Sequence, residues 1–427
     1  MKYYSLNHSS KKASFKKAVI NGIATDKGLY FPEEVIPLSK EFIQNISEYS
    51  NEEIAFKVIK QFVGDEIPQA HLKEIIRKAI PFDFPVVKID ENVGSLELFH
   101  GPTMAFKDVG ASFMSQCLSY FNQANKEEIT VLVATSGDTG GAVANGFLKA
   151  TGVNVVILYP SGKVSEIQEK QLTTLGHNIT ALEVDGVFDD CQDMVKSAFL
   201  DPEIHRKLTS ANSINVARWL PQMFYFFFAY KQVYKDFKEV VFSVPSGNFG
   251  NICAGLMAQK IGLPIKHFIA STNVNDTVPR YLATGSYQPK PSKATISNAM
   301  DVGNPSNFIR ILELFDNELS LLKKTFSSYS FTDIETKDIM KKIQSDLNYI
   351  ADPHGATGYL GLQEYGLQNN EIGIFFETAH PVKFLDTVED TLSIKLQIPP
   401  QIKKVLNEKK TSIKISNYKE LKDFLNC

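Results

Sequence analysis

From Ile129 onward, short β-branched runs alternate with helix-length amphipathic segments. That rhythm restricts the chain to a mostly parallel sheet covered by helices. Residues 129–134, 153–158, 179–184, 240–244, 265–270 and 373–376 read as the strands. They are continuous apolar runs without alternation, as expected of strands buried on both faces. Sheets of this kind hold ligands at the carboxyl ends of their strands, in the turns that lead into helices. Function is therefore expected in those turns.

The first roughly 90 residues follow another pattern. Helical periodicity appears over residues 41–47, 51–62 and 71–79, with a loop Thr25-Asp26-Lys27-Gly28-Leu29-Tyr30-Phe31-Pro32, and the segment reads as a cap packed on the catalytic body. Residues 287–307, rich in Pro, Ser and Asn, read as a long ordered loop or a lid. With 427 residues, 43% of them apolar, the chain can build two or three cores. A net charge of −3 without basic clusters argues against nucleic-acid binding, and the lysines at 403, 404, 409 and 410 read as a solvated face. The most apolar run, Phe224-Tyr225-Phe226-Phe227-Phe228-Ala229-Tyr230, is far short of the roughly 20 residues a membrane helix needs, so it is expected to be a buried helix. The opening Met1-Lys2-Tyr3-Tyr4-Ser5-Leu6 lacks an export signal's apolar core, which places the expected location in the cytoplasm. The cysteines at 117, 191, 253 and 427 form no paired motif, and no histidine spacing suggests a metal.

Five segments carry the chemistry. In His100-Gly101-Pro102-Thr103-Met104-Ala105-Phe106-Lys107-Asp108, a lysine stands between an apolar approach and a helix start. An amine partly withdrawn from water is more often neutral and attacks a carbonyl readily. Val244-Pro245-Ser246-Gly247-Asn248-Phe249-Gly250-Asn251 leaves a strand for a helix beginning near Ile252, and either cradles a phosphate or is an ordinary turn. Ala134-Thr135-Ser136-Gly137-Asp138-Thr139-Gly140-Gly141 either holds a second anion or caps its helix through Ser136, Asp138 or Thr139. Ser210-Ala211-Asn212-Ser213-Ile214-Asn215-Val216-Ala217-Arg218 reads as the start of a helix with Arg218 about one and a half turns in, either a fork for phosphate or a surface charge. In Phe376-Glu377-Thr378-Ala379-His380-Pro381, Thr378 either donates to a ring nitrogen or caps the next helix.

Taken together and in this order, FHGPTMAFKD, ATSGDTGGAVA, SANSINVAR, SVPSGNFG, NVNDTVPR and ETAHPVKF resemble the threonine synthase family, in its longer bacterial and fungal subgroup. TDKGLYFPE, GDEIPQ and SNAMDV extend the resemblance over roughly residues 1–391 and leave only the tail uninformative. It implies an α/β fold of type II among pyridoxal-phosphate enzymes, like the tryptophan synthase β chain. Two three-layer α/β domains plus a helical cap are expected, with a cap over 1–92, a large cofactor domain over 93–127 and 236–398, a small domain over 128–235 and a tail over 399–427.

The resemblance further implies conversion of O-phospho-L-homoserine and water to L-threonine and phosphate, by γ-elimination and β-addition of water. Lys107 would hold pyridoxal 5′-phosphate covalently, Gly247, Asn248, Phe249 and Gly250 its phosphate, and Thr378 its ring nitrogen. Asp138 stands where relatives of this fold commonly place an asparagine beside the cofactor's 3′ oxygen. Thr139, Asn212, Ser213 and Arg218 would receive the substrate phosphate. No metal, nucleic acid or membrane is implied, and the chain is expected to be a monomer or homodimer. A threonine dehydratase or phospho-lyase, or a cofactor-binding protein without catalysis, is the alternative reading.

Overall fold

The computed structural model describes residues 1–123, 128–237 and 239–427. The expected domain boundary at residue 127 lies outside them. In chain order the strands are β1 (Lys2–Ser5), β2 (Ala13–Ser14), β3 (Tyr30–Pro32), β4 (Val86–Asp90), β5 (Val93–Glu97), β6 (Ile129–Ala134), β7 (Val153–Pro160), β8 (Ile179–Val184), β9 (Lys207–Ser210), β10 (Glu239–Pro245), β11 (His267–Thr272), β12 (Phe326–Ser330), β13 (Glu371–Glu377) and β14 (Ile413–Ile415). They form three sheets, ordered β2-β1-β3, β12-β11-β10-β13-β5-β4 and β14-β8-β7-β6-β9. The third is parallel throughout, and the second is parallel except for β4, which runs antiparallel to β5 at the edge.

Every residue of β6 and of β13 is buried, the signature of a sheet covered on both faces. One face of the six-stranded sheet packs on the helix Met223–Val233, whose residues 223–229 are buried as the apolar run implied. Phe226 there lies 5.1, 5.7 and 4.9 Å, centroid to centroid, from Phe242, Phe268 and Phe376 on three adjacent strands. Burying such rings contributes roughly 1.5–3 kcal/mol each.

The amino-terminal segment combines the small antiparallel sheet with helices including Asn51–Val63 and Gln69–Ala79. The first begins with a reciprocal cap, Ser50 Oγ accepting from the Glu53 amide at 3.2 Å and Glu53 Oε2 from the Ser50 amide at 2.8 Å. Its Ile54, Ala55, Val58, Ile59 and Phe62 recur at helical spacing and are buried.

Several elements depart from expectation. The strand expected over 265–270 runs over His267–Thr272, because its polar end is paired inside the sheet: the Ser243 and Ser271 hydroxyls are 2.9 Å apart. β9 and β12 are rich in Ser, Thr and Lys and show no apolar run. The tail is folded: β14 extends the five-stranded sheet, and Ile415, Leu421 and Leu425 are buried. Lys403, Lys404 and Lys409 are exposed, but Lys410 bridges Glu169 and Glu183 at 2.6 and 2.8 Å. The loop over residues 287–307 is fastened by Asp301, which accepts from the Thr295 amide and from Asn273 Nδ2 at 3.0 and 2.9 Å. All four cysteines are free thiols. Among the described residues no helix is long and apolar enough to cross a membrane, and no cluster of metal-ligating side chains occurs.

Candidate active site

Strand order places the motifs. β10, β13 and β5 are neighbours, and at their carboxyl ends stand the Gly247–Gly250 loop, Thr378 and the Lys107 loop, with Thr378 between the other two. In the second sheet, β6 and β9 are likewise paired and lead into Asp138–Thr139 and Asn212–Arg218. The two sets of turns face a cavity of about 950 Å³ lined by Lys107, Thr139, Asn212, Ser213, Arg218, Gly247, Asn248, Phe249, Gly250 and Thr378.

Lys107 opens the helix Lys107–Asn122 and is half-buried. Burial lowers its amine to about 8, with Asp138 pulling it upward and Arg218 and Lys383 pulling it further down. Among the described residues no hydrogen bond engages the ammonium, whose nearest ring is Phe106 at 5.7 Å. Asp108, next in sequence, faces the other way. Its carboxylate accepts from the Thr103 amide at 2.9 Å and from the Thr103 hydroxyl, and burial raises it to about 6.

The Gly247–Gly250 loop ends in Phe249 with φ 59°, the left-handed region, and the helix Gly250–Lys260 follows. Among the described residues, the amides of Gly247, Asn248, Phe249, Gly250 and Asn251 make no hydrogen bond within the protein. A run of unsatisfied N–H groups at a helix amino end suits an anion. Neither glycine needs a positive φ. A Cβ at Gly247 would come within 2.7 Å of Met300 Cα and 2.8 Å of the Ala299 carbonyl, and one at Gly250 within 3.0 Å of Ser213 Cβ. These glycines permit close packing, a role the sequence did not separate from turn formation.

Ser210 ends β9 and residues 211–214 form a loop rather than a helix start; the helix is the short Val216–Trp219, capped by Asn215. Ser213 Oγ accepts from Asn248 Nδ2 and from Asn307 Nδ2, both at 3.0 Å. With both lone pairs occupied, its own proton is left to donate toward the cavity. Arg218 is buried, its Nη1 donating to the Ala211 carbonyl while, among the described residues, Nε has no partner. Burial lowers its guanidinium to about 10. It is not a surface charge.

The capping alternatives resolve. Thr135 Oγ1 accepts from the Gly137 and Gly140 amides at 2.9 and 2.8 Å, so Ser136, Asp138 and Thr139 are not the caps. His380 Nδ1 accepts from the Val382 amide at 3.1 Å, which frees Thr378 from that task. Glu377, one residue earlier on β13, points to the opposite face, where its carboxylate accepts from the Asp352 amide at 2.5 Å. Burial, then the Asp352 charge, raises it well above the usual range.

Asp138 is not among the residues lining the cavity. Its Oδ1 pairs with Lys383 Nζ at 2.8 Å and accepts from Gln168 Nε2 at 3.1 Å. Burial alone would raise this carboxyl, but the charges of Lys383 and Lys107 and the two hydrogen bonds hold it well below the usual range. Three further residues were not singled out from sequence. Lys383 lies inside ETAHPVKF. His354 lines the cavity, with Nδ1 2.9 Å from Asp352 Oδ1 and Nε2 accepting from the Ala299 amide at 3.3 Å. Arg310 is fully buried 4.3 Å over the Trp219 ring and donates to the carbonyls of Ser213, Ile214 and Tyr30 at 3.1, 2.6 and 2.9 Å.

Comparison with known proteins decides the family. Residues 95–372 match the pyridoxal-phosphate dependent enzyme family, residues 2–80 the threonine synthase N terminus, and residues 356–425 the threonine synthase C-terminal family. The chain is 46% identical to a threonine synthase of Buchnera aphidicola, over all of this chain and 99% of that protein. It belongs to the threonine synthase family.

The crystal structure of threonine synthase from Escherichia coli superposes with a TM-score of 0.94 at 43% identity, covering 100% of this chain and 99% of that one. A pyridoxal-phosphate-bound threonine synthase from Brucella melitensis gives 0.94 at 34% identity with the same coverage. Threonine synthases are fold-type-II enzymes that depend on pyridoxal phosphate and act as lyases, and this chain is one of that class. The donor set fits the cofactor on its own terms: a lysine of lowered basicity shares a cavity with five unpaired amides suited to a phosphate.

Proposed function

We propose that this chain converts O-phospho-L-homoserine and water to L-threonine and phosphate, with Lys107 as the cofactor-bearing lysine. The observation that carries this reading is one cavity holding a deprotonable lysine and two anion cradles of different make. The first is the amide run at 247–251, suited to the cofactor phosphate. The second comprises Thr139, Asn212, Ser213 and Arg218, mostly side-chain donors suited to a substrate phosphate that must leave.

Pyridoxal phosphate, when bound, supplies the electron sink for proton loss beside the amine. Lys107 Nζ takes the α proton and then serves the β carbon, a role helped by a pKa near 8. Ser213, Thr139, Asn212 and Arg218 receive the phosphate as it departs from the γ carbon and stabilise its growing charge. The γ carbon gains a proton and water adds at the β carbon, which completes threonine. Thr378, which lines the cavity, would offer a neutral hydroxyl to the cofactor's ring nitrogen, where a carboxylate would enforce protonation and favour transamination. Asp138 acts through its field on Lys107. The test is phosphate release from O-phosphohomoserine with threonine detected in equal amount; 2-oxobutyrate in place of threonine would mark a dehydratase-like enzyme and overturn the proposal.

A further inference from the structure

Lys383 is fully buried, and its ammonium donates to Asp138 Oδ1 at 2.8 Å and to the Thr103 carbonyl at 2.9 Å. Lysines are almost never buried to this degree unless paired. The short turn Pro381–Phe384, which follows β13 of the six-stranded sheet, carries it. Ser165 Oγ anchors that turn by donating to the Lys383 carbonyl at 3.1 Å. Lys383 thus reaches from one sheet to the turn that follows β6 of the other.

Among the described residues Asp138 interacts with two cations, Lys383 and Lys107, but contacts only the first. Gln168 reinforces the choice by donating to the same Oδ1 at 3.1 Å. Gln168 is itself fixed against bare Gly137, where a Cβ would stand 2.4 Å from its Cδ. Lys107 lines the cavity, whereas Asp138 does not.

We propose that Lys383 is a positioning residue: by pairing with Asp138 it denies Lys107 a counter-ion and keeps the Lys107 amine free to react. This rests on the reading that Lys107 bonds the cofactor. The groups around Lys107 are few. Asp138 favours its charged form, while Arg218 and Lys383 oppose it. The Asp108 carboxylate is turned to Thr103, and the Tyr225 hydroxyl donates to the Phe106 carbonyl. Without Lys383, Asp138 would be a buried carboxylate with no cation in contact. Lys107 is the cation left to answer it, and an opposite charge beside a lysine stabilises its protonated form.

The experiment uses the 427-residue chain freed of cofactor and follows recapture of pyridoxal phosphate by visible absorbance, from mildly acidic to strongly basic pH. The wild-type rate should climb through an inflection near 8. Lys383→Met should move the inflection up by about one unit or more. Lys383→Arg, which keeps the charge, should leave it near the wild-type value, and Lys383→Met combined with Asp138→Asn should bring it back down. An unmoved inflection in a folded Lys383→Met protein overturns the proposal. If Lys383→Met does not fold, Asp138→Asn alone decides: its inflection should fall below wild type as Lys383 loses its partner, and an unmoved one is fatal to the idea. Lys107→Ala separates the two levels. Wild-type capture by that variant would overturn the Lys107 reading itself, whereas lost capture together with an unmoved Lys383→Met inflection overturns only the role of Lys383.

Discussion

The amide of Phe106 donates to the carbonyl of Thr378 at 2.8 Å, which ties the residue before Lys107 to the end of β13. The His380 amide closes the same contact on the Met104 carbonyl at 3.1 Å, and Met104 takes a φ of 56° to allow it. Lys107 is therefore set by backbone hydrogen bonds to the neighbouring turn, not by its own side chain. Its amine stays unengaged and its root is rigid.

Lys107→Ala should abolish both turnover and the visible absorbance of bound cofactor while the fold persists, because among the described residues the side chain has no hydrogen bond to lose. Borohydride reduction of the loaded protein followed by peptide mapping checks the attachment point. A label on Lys163 or Lys170, with Lys107 unmodified, refutes the assignment.

The two loop glycines should respond differently. A methyl at Gly247 meets backbone at 2.7 Å, which cannot give cheaply, whereas at Gly250 the nearest atom is the Ser213 Cβ at 3.0 Å. Gly247→Ala should lower the stability of the cofactor-free chain by about 1–3 kcal/mol and weaken cofactor retention as well. Gly250→Ala should mainly disturb Ser213, raising KM for the phosphorylated substrate with a smaller change in Tm. Thermal melts of the cofactor-free proteins beside steady-state kinetics check the pair; equal melts for the two variants would contradict the geometry.

What could be read from sequence follows burial. β6 and β8 coincide with the expected runs because every apolar residue there faces a covered side, and hydropathy records that directly. β9 escaped because Thr209 and Ser210 enter the interior as hydrogen-bonding groups, Thr209 Oγ1 donating to the Val19 carbonyl at 3.2 Å. The glycine turns and Lys107 could be singled out because their chemistry is local. Lys383 and Arg310 could not, since a buried cation is explained only by partners distant in the chain: Lys383 meets Thr103 and Asp138, and Arg310 meets Tyr30 and Ser213. A partial signal existed for Arg310, which stands on the buried face shared by Phe308 and Ile311 of its helix.

Arg218→Ala should cost about 1.5–3 kcal/mol of transition-state stabilisation, roughly ten- to hundred-fold in kcat/KM for phosphohomoserine. Cofactor retention should survive. Because Arg218 is buried and holds the Ala211 carbonyl, part of the loss will appear as a lower Tm. Lysine at this position restores charge without the planar fork and should rescue partly. Binding of a phosphate-free amino acid is the control: an equal loss there means that Arg218 supports the loop or the carboxylate, and not the phosphate.

Asp108 gives a pH prediction with a definite sign. Its folded pKa is raised by burial to about 6 from 3.8, so between those values the folded chain holds a proton that the unfolded chain has released. The group's contribution is fully present below the unfolded pKa and is lost as pH rises toward 6. Asp108→Asn removes this dependence. The variant's stability relative to wild type should therefore improve on going from acid toward neutral pH, by on the order of 2–3 kcal/mol. Denaturant unfolding of both proteins at the two ends of that window checks it, and a constant difference across the window contradicts the assignment.

The final prediction concerns the folded tail. Leu421 and Leu425 are fully buried on the helix Tyr418–Asn426, which packs beside the helix Phe188–Leu200 and joins the apolar cluster that includes Leu182 and Val184. Leu421→Ala should destabilise the chain by about 2–5 kcal/mol, the usual cost of a core truncation with its cavity. The residue lies outside the cavity-lining set, so kcat/KM measured well below the melting transition should stay within a few-fold of wild type. Removing residues 408–427 should do more, because it also strips β14 from the edge of β8 and leaves Glu169 and Glu183 without Lys410. Melting curves and kinetics of both variants test the claim. A tail deletion that melts like the intact chain would show that β14 and its helix rest on the sheet without contributing to its stability.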